Sequence, residues 1–142
     1  MRRLDAAVFL AGAALMGLEI VGSRVLAPVF GTSIFVWGAL ITTFLASLAV
    51  GYAAGGKLAD RRPDPALLSS LLAASACLLW LLFLSPAPLL ALFARAPMPD
   101  RFRSLLAALV LFAPPSVLMG AVTPFAVRLR ARSLASIGSE AG

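Results

Sequence analysis

Glu19 and Arg24 are the charges in the run GLEIVGSRVLAPVFG, Gly17 to Gly31. From Leu4 to Val21 the chain is otherwise apolar apart from Asp5. A carboxylate at helix depth in a membrane costs about 2–3 kcal/mol or more. Protonation, a donor from another helix or a wet cavity must offset that cost. The chemistry such a group offers is binding of a cation or a proton. Two plainer uses stay open: a structural hydrogen bond to a neighbouring helix, and hydration close to the surface. Glu19 and Arg24 do not make a helical pair. Five residues separate them, about 7–8 Å along a helix axis and about 500° around it, whereas facing pairs are three or four apart. Arg24 is long enough to snorkel to headgroups.

A second charged group is GYAAGGKLADRRP, Gly51 to Pro63. Its glycines are expected to end a helix, after which Lys57, Asp60, Arg61 and Arg62 form a tight cytoplasmic loop. Asp60 is placed to cap or pair with a neighbouring helix end. Just before it, Thr43, Ser47, Gly51 and Gly55 recur every four residues. That spacing puts small side chains on one face and lets another helix come close. Ala13 and Gly17 share the spacing on the preceding helix.

Other chemistry is missing. The chain has no histidine, one cysteine and six acidic residues spread over its length. The usual general base and the usual haem and zinc ligands are therefore absent. Asp60 and Asp64 are the only close acids, in a Pro-flanked segment that does not form a pocket, so no metal site is expected. Cys77 lies inside an apolar run and reads as a small hydrophobe. No catalytic residue and no cofactor are expected, and the chain is read as a non-enzyme.

The elements that hold these residues follow from composition. Of 142 residues, 61% are hydrophobic and 13% charged, with a mean hydropathy of +1.00. A soluble domain carries about a quarter charged residues. The expected fold is an all-α integral membrane protein with a single domain of four transmembrane helices. They are placed at about 4–27, ending before Pro28, then 34–56, 66–84 and 104–127. The third has an irregular extension to 94 around Pro86 and Pro88, and the fourth is broken at Pro114–Pro115 and Pro124. A first span ending at Ala27 leaves Glu19 off its centre. That stretch is too long for a cleaved leader and carries Glu19, so it reads as a retained helix.

The net charge is +6. The basic residues sit at the ends of the apolar runs and are not interleaved with aromatics, which sets nucleic acid aside. Arg2, Arg3, Lys57, Arg61, Arg62, Arg128, Arg130 and Arg132 fall on one side, against Arg24, Arg95, Arg101 and Arg103 on the other. Eight against four places both termini in the cytoplasm and the chain in the inner membrane. Trp37 suits an interfacial anchor and Trp80 ordinary packing. The closing SLASIGSEAG is small and polar and is expected to fray.

The run GLEIVGSRVLAPVFGTSIFVWGALITTFLASLAVGYAAGGKLADRRP resembles the amino-terminal membrane region of fused transporter-like/spermidine synthase-like proteins. The likeness is carried by Glu19, Arg24, Pro28, Phe30, Gly31, Trp37, Gly51, Tyr52, Gly55, Gly56, Leu58, Ala59, Asp60 and Arg61. In PPSVLMGAVTPFAVRL it continues through Pro114, Gly120, Pro124 and Arg128. The turn after the second helix also resembles the loop signature of the major facilitator superfamily. The family implies a membrane domain joined to an aminopropyltransferase-like domain, and chemistry around polyamines. These 142 residues hold no Gly-rich nucleotide loop after a strand and no aminopropyl-transfer motif, so that activity does not carry over. The expectation is a stand-alone short relative, or a chain whose remaining part is separate. It is read as a non-catalytic subunit docking by helix packing among membrane lipids, with other membrane subunits or copies of itself. The alternative is a polyamine or organic-cation module using Glu19 and Arg24.

Overall fold

The computed structural model describes residues 2–84 and 86–140, with side chains described for 4–84 and 86–132. It is all-helical, with no strand among the described residues. The helices are α1 (Arg2–Phe30), α2 (Ile34–Arg61), α3 (Pro65–Leu84), α4 (Ala87–Ala94) and α5 (Asp100–Glu140). Four of them, all but α4, are long and apolar enough to cross a membrane.

The helix ends depart from the sequence expectation in one direction: the helices run longer. α1 does not stop before Pro28 but continues to Phe30. A proline there removes one N–H in the last turn, a small loss compared with a mid-helix break. Gly31 ends the helix instead, at φ +73°, and its N–H bonds the Ala27 carbonyl at 2.9 Å. That is the left-handed cap for which glycine has no steric cost. Likewise α2 is not ended by Gly55 and Gly56; it runs on to Arg61. Lys57, Asp60 and Arg61 are therefore helical, and only Arg62 of that group lies beyond the helix.

Asp64 then starts α3. Its carboxylate accepts the Ala66 N–H at 2.8 Å, and Pro65 occupies the first helical position, where no N–H is missed. The irregular extension of α3 is in fact the separate short helix α4. α5 is not broken at Pro114, Pro115 or Pro124; all three lie inside one helix. Prolines are tolerated in such helices because neighbours supply the packing. The small polar tail, expected to fray, continues α5 as helix to Glu140.

α5 is the hub, packing against each of the other four helices. Its widest contact is with α2, and the two run in the same direction. Phe44 stacks on Phe112, with centroids 5.8 Å apart; Gly51 meets Gly120, Gly55 meets Ala121, and Asp60 pairs with Arg128. α3 packs chiefly on α5, and α1 on α5 and α2. One buried cluster centres on Leu26, Phe44 and Phe112, towards α4. A second centres on Ala59, Val122 and Phe125, towards the chain's arginine-rich end.

Candidate functional site

The lengthened α1 changes the position of Glu19. It stands eleven residues before Phe30, about 16 Å along the axis. That is close to half of a hydrocarbon layer of about 30 Å. Within the Leu4–Phe30 helix it lies two residues from the midpoint, nearer than in a helix that ends at Ala27.

Glu19 is half-buried and lines a cleft of about 240 Å³ between α1 and α2, with Ile20, Trp37, Leu40, Ile41 and Phe44. The local cause is a close approach at Gly22. A methyl group there would come within 3.1 Å of Leu40 and 3.4 Å of Phe112. The pinch holds the two helices together, and the cleft opens beside it. Trp37, read from the sequence as an interfacial anchor, forms part of this wall. Sequence reasoning missed Phe44 altogether. The missing signal is which α2 face meets α1, and helical spacing within α2 does not contain it.

The structure does not bring Glu19 and Arg24 together. Arg24 is exposed on the same helix, and no hydrogen bond or ion pair to either side chain occurs among the described residues. The cleft offers a carboxylate beside the exposed Trp37 ring, which suits an ammonium or guanidinium group, while Phe44 is buried against Phe112 behind it. Among the described residues there is no group of three His, Cys, Asp or Glu side chains able to hold a metal ion.

Small residues are exposed elsewhere on both helices. Gly12 lies two turns before Glu19, and Gly38 lies near the start of α2; a methyl group on either would meet no atom within 4 Å. Thr42 and Ala46 continue the row from Gly38 and are also exposed. Ala13 and Gly17 are uncovered too.

The other row on α2 has the opposite surroundings. Thr43, Ser47, Gly51 and Gly55 are all buried. A methyl at Gly55 would fall 2.5 Å from Ala121 Cα, and one at Gly51 would collide with the Val117 carbonyl and reach Gly120 Cα at 3.0 Å. The row is thus occupied by α5 of the same chain and presents no surface to a partner. Two hydroxyls in this region, Thr43 Oγ1 and Ser116 Oγ, are buried without a hydrogen-bond partner among the described residues.

The charged group at the end of α2 is spread out. Arg128 Nε donates to Asp60, joining α5 to α2, and Arg130 Nη1 donates to Asp5 at 2.8 Å, joining α5 to α1. Lys57, Arg61 and Arg62 stay exposed around these pairs. At the opposite end Arg103 pairs with Asp100 and donates to the Ala94 carbonyl at 2.6 Å, closing the end of α4. No protein-family model, no curated protein and no solved structure matches this chain.

Proposed function

We propose that this chain is a non-catalytic, multi-pass membrane subunit that meets a partner helix on its Glu19 face. The observation that carries the reading is the unpaired carboxylate near mid-span, in a cleft open to the side. A partner that brings a hydrogen-bond donor to that depth removes the cost of leaving it bare. Gly12, two turns before Glu19 on the same side of α1, lets such a helix approach closely. The charge bias favours both termini in the cytoplasm of an inner membrane. The likeness of Gly17–Pro63 to the membrane part of transporter-like/spermidine synthase-like proteins supports the same placement.

A second reading rests on Trp37. With Glu19 its exposed ring makes a cleft suited to a polyamine or another organic cation. One experiment separates the two. The chain is gently extracted, and native mass and polyamine binding are measured for the wild type and Glu19→Gln. A stoichiometric complex with another membrane chain, lost in Glu19→Gln, supports the subunit. A lone species whose saturable polyamine binding is lost in Glu19→Gln supports the cation module. A lone species that binds nothing ends both.

A further inference from the structure

The paired prolines inside α5 leave bare backbone beside a cavity. Pro114 and Pro115 carry no N–H, so the carbonyls four residues earlier, on Val110 and Leu111, lose their regular helical donors. Leu111 loses the alternative as well, because a tighter 3₁₀ bond would have to come from Pro114. No side chain or neighbouring element donates to either carbonyl among the described residues. Val110, Leu111, Pro114 and Pro115 all line one cavity of about 150 Å³, which Leu82 of α3 and Leu89 of α4 wall from the other side. Both missing bonds therefore fall at its edge. Leu81, Leu89 and Val110 are exposed, so the cavity opens to the side of the bundle. Its depth is central: the midpoint of the Asp100–Arg132 span is residue 116, next to the two prolines.

Size and hydrogen bonding select the occupant. A cavity of this volume accepts a molecule the size of benzene. Its lining side chains are all leucine, valine or proline, so none brings a polar atom. A buried water needs two to four polar partners; here it would find acceptors only, and its own lone pairs would face leucines. A wholly apolar molecule would leave the carbonyls bare, which is costly at this depth. A ketone, ether or carboxylate would set acceptor against acceptor. One hydroxyl on an apolar body meets both demands. From this juxtaposition we infer that the α3–α4–α5 cavity binds a membrane-dissolved hydroxyl compound about the size of phenol, its O–H donating to the Leu111 carbonyl and its apolar body lying against Leu82 and Leu89. The inference needs the helices to span a membrane but is independent of any role for Glu19.

The test pairs para-fluorophenol with para-fluorotoluene, which has nearly the same shape and no donor. The full chain is reconstituted in phosphatidylcholine nanodiscs. Fluorine NMR titration gives the affinity of each probe, corrected for its partition into nanodiscs without protein. The phenol is expected to bind saturably and about fivefold tighter than the toluene, the effect of one hydrogen bond. Pro114→Ala with Pro115→Ala returns an N–H to each carbonyl, and the ratio should fall to within about twofold of unity. Pro124→Ala should keep the fivefold preference, because Pro124 and the Gly120 carbonyl it leaves bare lie outside the cavity. Binding that does not saturate overturns the inference, as do equal affinities for the two probes. So does a preference that survives the double substitution in a helical, monodisperse protein. Pro115→Ala alone restores the Leu111 bond, so it is read in the same way if the double variant does not fold.

Discussion

α2 carries two rows of small residues at the same spacing, and they meet opposite surroundings. Thr43, Ser47, Gly51 and Gly55 are pressed against α5, close enough for backbone to touch backbone. Gly38, Thr42 and Ala46 are exposed, a methyl group at Gly38 would meet no atom within 4 Å, and none of the three lines the Glu19 cleft. Spacing makes a helix face able to pack. What occupies it depends on the shape of the other helix, here Gly120 and Ala121 opposite the first row. The first row is therefore internal architecture, and the second is the one with surface to offer.

The sharpest way to break this contrast is to add bulk to each row. Gly55→Val should be the most damaging single change, because its side chain would enter the backbone of α5 at Ala121. A loss of about 3 kcal/mol or more is expected, read by unfolding in detergent. Gly12→Ala, with nothing within 4 Å, should shift the same measurement by less than about 0.5 kcal/mol. Gly38→Leu sharpens the comparison from the other side. It should leave both unfolding and recovery of the partner chain unchanged, unlike Glu19→Gln. Loss of recovery with Gly38→Leu would extend the interface to that row.

Smaller effects test the interior. Thr43 buries a hydroxyl with no partner, which costs about 1–3 kcal/mol relative to a satisfied one. Thr43→Val keeps the shape and removes the hydroxyl, so unfolding should show a gain of about 1 kcal/mol. The smallest effect belongs to Asp60 and Arg128. Both are more than half exposed, so a double-mutant cycle should return about 0.2–1 kcal/mol, shrinking as salt rises.

Four long apolar helices were legible because hydropathy reports solvent directly. Their ends were not, because glycine and proline signals are calibrated on helices in water. Gly55 and Gly56 read as a stop, yet Gly55 is buried on Ala121 and α2 continues to Arg61. Pro114, Pro115 and Pro124 read as breaks, yet α5 passes through all three. The error at Pro28 touched the candidate site, since three more residues bring the midpoint of the span from between residues 15 and 16 to residue 17, nearer Glu19. Glu19 itself stood out by its cost in an apolar run. Its neighbours Trp37 and Phe44 did not, because their proximity depends on how α1 crosses α2 at Gly22.

The hub position of α5 has a consequence for the order of events in the cell. α5 is the last of the five helices to leave the ribosome, yet it touches every other one. Before it arrives, the Thr43–Gly55 row is bare, α3 has no substantial neighbour, and Asp5 and Asp60 wait for Arg130 and Arg128. Packing of the bundle therefore waits on α5. A nascent chain paused before residue 100 holds α1, α2 and α3 with few mutual contacts until α5 packs against all of them.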